Sequence, residues 1–154
     1  MSHPPRPTPP PTPPPKSNAV RIRVRYCECD PMGVAHHAAY APWLEIARTE
    51  LLRESGQSYA QLEAQGILMV IVKLDIAYRR PIRYDDVVEV KCSVKAGSRV
   101  KIEHEYELTV IEQGGHGPAG EVRTGHTCAA ARTTLACVDR AGKVRELPGW
   151  LVGG

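Results

Sequence analysis

The chain contains no phenylalanine, and aromatic residues fill only 5% of its 154 positions. Its interior must therefore be built from Val, Ile, Leu and Ala, interdigitated at high density. No run of about 18 apolar residues occurs, so no membrane-spanning helix is expected. The first residues lack the apolar stretch of a secretory signal. With no such signal, a reducing, cytoplasmic setting is the expectation. Charge of one sign is also in short supply. The net charge is +3, too small for a dedicated nucleic-acid binder but suited to a small anionic ligand. Cysteine numbers five, at positions 27, 29, 92, 128 and 137. An odd set without a signal peptide argues against a disulfide framework. Cys27 and Cys29 would point the same way on a strand, but no second cysteine pair with metal spacing follows. Neither a metal nor another cofactor is expected, and the thiols are read as small packing groups.

Proline is abundant only at one end. Nine of the 14 prolines lie between Pro4 and Pro15. Residues 1–18 are thus expected to form a disordered or polyproline II tail with little to bury. Such a tail either solubilises the chain or docks on an aromatic groove. Residues 19–154 are expected to form one domain.

Hydrophobic periodicity lays out the elements. From Ala19 to Cys29, Val20, Ile22, Val24 and Tyr26 alternate with Arg21, Arg23 and Arg25, the pattern of a half-buried strand. A long amphipathic helix is expected from Ala38 or Ala39 to Glu54. Its apolar face is Tyr40, Trp43, Leu44, Ala47 and Leu51. At 1.5 Å per residue it spans about 24 Å. Pro42 belongs in its first turn, and Gly56 is a stop signal. A short second helix runs from Ser58, its cap, to Gln65. Strands follow at Ile67–Tyr78, Val87–Lys95, Val100–Ile111 and Glu121–Asp139, mostly joined by hairpin-like turns. One strand, a long helix and four more strands imply an α+β fold, with the helix covering an antiparallel sheet. The edges and the second face of that sheet call for an oligomer.

The stretch Tyr26–Arg53 (YCECDPMGVAHHAAYAPWLEIARTELLR) concentrates the chemistry. Pro31 restrains its own φ and biases Asp30 towards extended backbone, and Gly33 can take a positive φ. Asp30 therefore sits on a stiff turn, either as a turn-capping residue or as a reactive carboxylate. The donor-rich start of the helix follows at once. His36 and His37 offer shape and hydrogen bonding, or proton transfer. Metal binding by adjacent histidines lacks a third ligand. Glu45 is a rival carboxylate, although an i,i+3 pair with Arg48 accounts for it more simply.

The order of elements, together with CDPMGVAHHAAYAPWLEIARTELL and KLDIAYRRPIRYDDVVEV, resembles the hotdog-fold acyl-CoA thioesterases. The similar groups are the hydroxybenzoyl-CoA thioesterase type and the YbgC/FadM type. The matching positions are Asp30, Gly33, Val34, His36, His37 and Tyr40, and the likeness covers roughly Val20 to Asp139. The resemblance implies a long central helix wrapped by a five-stranded antiparallel sheet, working as a homodimer or homotetramer on acyl-CoA. It implies that Asp30 acts on the thioester carbonyl, as nucleophile or general base. It also makes the backbone N–H of His37 the oxyanion donor. Gly33, Val34, His36 and Tyr40 would shape the substrate site. Coenzyme A carries phosphates, so Arg99 and Lys101 are candidate contacts, with Arg79, Arg80 and Arg83 as further ones. A non-catalytic acyl-CoA-binding protein of the same fold is the alternative. A hotdog dehydratase fits less well, because its Asp-x-Asn-Pro-x-His arrangement is missing.

Overall fold

A computed structural model describes residues 12–152, so most of the expected Pro-rich tail, residues 1–11, lies outside the described part. The alternating Val and Ile form the first strand, β1 (Ser17–Arg23), with Arg21 and Arg23 exposed and Val20 and Ile22 packed on the core. Ordered contact begins before it. The Thr12 N–H reaches the Ser55 carbonyl at 3.3 Å, and the Lys16 carbonyl accepts from Val94 at 2.8 Å. Residues 12–18, expected as tail, therefore lie against the domain.

The first strand does not continue to Cys29. Val24 still exchanges backbone bonds with Asp85 and Asp86, and then Tyr26–Glu28 winds into one 3-10 turn. The cause is local. The Glu28 carboxylate accepts the Arg25 backbone N–H at 2.8 Å, a side-chain bond that competes with a strand ladder. Cys27 is left exposed and Cys29 half-buried, so the two thiols do not share a strand face.

A second 3-10 turn, His37–Ala39, leads into α1 (Tyr40–Arg53), which starts slightly later than its periodicity suggests. Pro42 lies in the first turn, where its missing N–H costs no bond. Gly56, at φ +85°, returns its N–H to the Arg53 carbonyl and stops the helix. In α2 (Tyr59–Ala64), Ser58 and Gln61 cap each other reciprocally. The strands β2 (Leu68–Tyr78), β3 (Val87–Gly97), β4 (Lys101–Glu112) and β5 (Thr127–Val138) follow, then a final turn of helix, α3 (Gly149–Val152). The strand β5 begins at Thr127 instead of Glu121, because Gln113 Oε1 captures the N–H groups of Arg123 and Thr124 and holds that segment in a loop.

All five strands pair antiparallel in the order β1-β3-β4-β5-β2. Hairpins join β3 to β4 and β4 to β5. The β2–β3 link is not a hairpin, since two strands separate them in the sheet. One face of the sheet receives α1: Trp43, Leu44, Ala47 and Leu51 pack on Val88, Val90, Leu108, Val110 and Ala129. Burying each large aliphatic side chain contributes about 1.5–3 kcal/mol. Small residues such as Ala47 and Ala129, both 0% exposed, let helix and sheet approach closely without any phenylalanine. The result is the α+β arrangement the patterning implied.

At one edge β2 carries apolar side chains into solvent, with Val70 39%, Val72 54% and Leu74 43% exposed. An uncovered apolar edge strand of this length is a template for pairing with another chain.

Candidate active site

The residues after Glu28 fold into a tight hairpin. The His36 N–H donates to the Glu28 carbonyl at 2.8 Å, and the Asp30 N–H to the Val34 carbonyl at 2.9 Å. Gly33 closes the turn, its N–H on the Asp30 carbonyl at 2.9 Å. It sits at φ +77°, a conformation that side chains resist. The returning strand docks on the β2–β3 link, with the Ala35 N–H on the Ile82 carbonyl at 2.7 Å.

Asp30 is half-buried at the tip. Its Oδ1 accepts the Met32 N–H at 2.8 Å, the side-chain-to-backbone turn typical of Asp. Asp30 is thus both turn cap and oriented carboxylate. It lines a cleft of about 430 Å³ with Tyr26, Met32, Gly33, Tyr84 and His116. The Tyr84 ring meets Tyr26 and His116 edge-on, with centroids 5.5 and 5.0 Å apart.

The other end of the hairpin becomes the helix start. His36 caps it, its Nδ1 accepting the Ala38 N–H at 3.0 Å, while its ring stacks on His37 at 4.0 Å between centroids. The His37 carbonyl accepts from the Tyr78 hydroxyl at 3.2 Å. Its N–H finds no acceptor among the described residues. That N–H lies just ahead of a 14-residue helix, whose dipole favours negative charge there. No group of three or more His, Cys, Asp or Glu residues suited to a metal comes together among the described residues.

Glu28 ties the hairpin to the helix. Its Oε2 accepts the Trp43 indole N–H at 2.7 Å, deep in the structure. Burial would raise the Glu28 carboxyl. The bonds from the Arg25 backbone, the Arg25 guanidinium and Trp43 outweigh burial and hold it below the usual carboxylate range. Sequence reading missed Glu28 because its partner is fifteen residues away. It missed His116 and Tyr84 as well, since the cleft forms only when the β4–β5 loop folds over Gly33.

The other expected site residues fall in different places. Val34 bridges to Arg83 within the hairpin's docking surface. Tyr40, 3% exposed, is wedged between Trp43 and Tyr78 with centroids 5.1 and 4.8 Å away. Burial raises its phenol well above the ordinary range. It supports the helix start from below. Arg99 and Lys101 lie at the β3–β4 hairpin, about 30 Å along the strands from the Asp30 end of the sheet. Arg99 is bonded there to Glu146. Arg83 is occupied by Glu121 at 2.8 Å. The Glu45 side chain is 69% exposed and its carboxylate lies 3.5 Å from Arg48; it lines no part of the Asp30 cleft.

A carboxylate fixed on a turn, close in sequence to an unpaired N–H at a helix start, can attack or deprotonate at a carbonyl and stabilise the oxyanion. Known proteins resemble the chain in sequence and fold. A sequence model of the thioesterase-like superfamily matches residues 24–153. YneP of Bacillus subtilis, whose name provisionally assigns it acyl-CoA thioesterase activity, is 31% identical over 77% of this chain and 78% of its own. The acyl-CoA thioesterase YbgC of Haemophilus influenzae is 30% identical over 82% of this chain and 83% of its own. The solved DHNA-CoA thioesterase of Staphylococcus aureus superposes with a TM-score of 0.75 at 31% identity, covering 85% of this chain and 80% of that one. With its sheet order, its helix and this sequence match over most of its length, the chain belongs to the thioesterase-like superfamily and is a thioester hydrolase of the hotdog fold.

Proposed function

We propose that this enzyme hydrolyses acyl-CoA to the free acid and coenzyme A, with Asp30 acting on the thioester carbonyl and the His37 backbone N–H receiving the oxyanion. The observation that carries the reading is the pairing of an oriented Asp30 carboxylate with a donor at the helix start that has no acceptor among the described residues. Asp30 either attacks the carbonyl carbon or takes a proton from the attacking water. In both cases negative charge builds on the carbonyl oxygen, where a preorganised donor is worth about 10²–10³ in rate. The C–S bond then breaks and coenzyme A leaves as the thiolate; where Asp30 attacked, water then hydrolyses the acyl–aspartyl anhydride, releasing the acid and restoring the carboxylate. Five free cysteines suit work in a reducing cytosol.

The cleft beside Asp30 is open to solvent, and a second subunit would complete it. The exposed apolar row of β2 supports a homodimer formed edge to edge, with a tetramer as a further step. In such an assembly Lys101, and Arg99 once released from Glu146, would serve a neighbouring subunit's site. Replacing Val72 with Lys should shift the protein towards monomer in analytical ultracentrifugation and lower turnover at least tenfold. A Val72→Lys dimer with full activity would refute the edge pairing.

The direct test is thiol release from a panel of acyl-CoAs of graded chain length and aromaticity. Turnover of at least one is expected. Binding without release from any member would instead mark a non-catalytic acyl-CoA-binding protein.

A further inference from the structure

One side chain of α1 departs from the amphipathic pattern. Arg48 turns towards the sheet and is only 7% exposed. Among the described residues its ionic partner is Glu45, 3.5 Å from Nη2, and that side chain is 69% exposed. Solvent screening leaves such a pair little strength. The Arg48 Nε has no hydrogen-bond partner among the described residues. Opposite it, on β4, His104 is 6% exposed and its Nδ1 is unpartnered in the same sense. Both side chains line a cavity of about 30 Å³, which Tyr59 also lines and which is otherwise walled by apolar groups such as Leu51, Leu62 and Ile102.

The charge of this wall is one-sided. A guanidinium offers donors only, a phenol donates readily, and a neutral imidazole can present its N–H on either nitrogen. Burial, aided by the charge of Arg48, pushes His104 down to about 4, so it is neutral at ordinary pH. No lining side chain carries a carboxylate or an amide. A water molecule could donate to the Tyr59 oxygen or to the unprotonated His104 nitrogen, but it would not supply the negative charge that the guanidinium lacks. A buried cation whose ionic partner stands in solvent is costly. The volume suits one water-sized or halide-sized occupant and is too small for phosphate or a carboxylic acid.

We propose that the cavity between α1, α2 and the sheet binds a single halide-sized monovalent anion, held by Arg48, His104 and Tyr59, which neutralises the buried guanidinium. The anion has no part in the chemistry at Asp30. It secures the helix against the sheet.

Thermal unfolding in chloride, bromide or gluconate at one ionic strength of about 0.3 M tests this. A site half-filled at about 10 mM should raise the melting temperature by about 5 °C in either halide over gluconate. General salt effects act on any variant, so His104→Leu, which removes one donor, should lose at least half of that increment. Should His104→Leu fail to fold, crystals of the wild-type protein soaked in bromide decide the matter. An anomalous peak within hydrogen-bonding reach of Arg48 supports the site. Equal melting temperatures in all three salts, or density there with no anomalous signal, would overturn it.

Discussion

Replacing Asp30 with Asn should lower kcat for acyl-CoA hydrolysis by about 10³-fold, the middle of the range for removing a general base and a modest loss for a nucleophile. The substitution isolates the charge. The Asn carbonyl oxygen can still accept the Met32 N–H now held by Asp30 at 2.8 Å, so the turn survives. Gly33 keeps its positive φ, and the His37 N–H stays where it is. KM should therefore change by less than about threefold, because uniform binding is retained and only a transition-state interaction is lost. Steady-state kinetics with the best substrate of the panel, alongside circular dichroism to confirm the fold, makes the comparison. The control is Glu45→Gln. Its parent carboxylate is in solvent beside Arg48, so turnover should stay within about twofold of wild type. Activity lost only in the Glu45 variant would move the chemistry to the helix and overturn the role proposed for Asp30.

The largest effect on stability should come from Asp86→Ala. Asp86 is 0% exposed and its partner Arg123 only 2%. The carboxylate accepts Arg123 Nη2 at 2.7 Å and Nε at 3.3 Å. It also accepts the backbone N–H groups of Gly114 and Arg83, each at 2.8 Å. Removing it strips the buried guanidinium of its Nη2 and Nε partner and leaves it the half-buried Glu121 at Nη1, at a cost of about 3 kcal/mol. Two orphaned N–H groups add to that. For a domain whose whole stability is about 5–15 kcal/mol, the melting temperature should fall by at least 10 °C. The double variant Asp86→Leu/Arg123→Met should recover the share of this loss due to the guanidinium, since apolar replacement of a whole buried pair is often close to neutral, while the Gly114 and Arg83 N–H groups stay orphaned. A single variant as stable as wild type would show that the pair contributes nothing.

The same anchor reaches the candidate active site. Asp86 holds Gly114, and Glu121 joins Arg83 to Arg123. A Cβ on Gly114 would come within 2.7 Å of the Tyr84 carbonyl, and one on Gly117 within 2.7 Å of Arg83. The Gly-rich loop is therefore pressed onto the β2–β3 link, which sets His116 over the Gly33 turn. In the sequence these glycines read only as a hairpin-like connection between strands. Their tightness arises from a neighbour some thirty residues away.

What could be read from the sequence was local or periodic. Alternation located β2, β3 and β4 to within a few residues, because a strand with one buried face must repeat every second residue. The i, i+3, i+4 spacing of Tyr40, Trp43, Leu44, Ala47 and Leu51 located the buried face of α1 in the same way. Where local chemistry competed, the reading failed. Glu28 captured the Arg25 N–H and ended β1 early, and Gln113 captured the residues before β5.

The sequence by itself determined that Asp30 stands on a rigid turn ahead of a helix, since Pro31, Gly33 and the apolar periodicity of α1 act within a few bonds of one another. Only the tertiary structure decided what surrounds that turn. The strand order puts the β2–β3 link, the Asp86–Arg123 pair and the loop bearing His116 against the Asp30 hairpin, and carries Arg99 and Lys101 to the far end of the sheet. It also turns Arg48 inward while leaving Glu45 in water. These placements depend on contacts between residues far apart in the chain, and no local pattern encodes the partner that completes them.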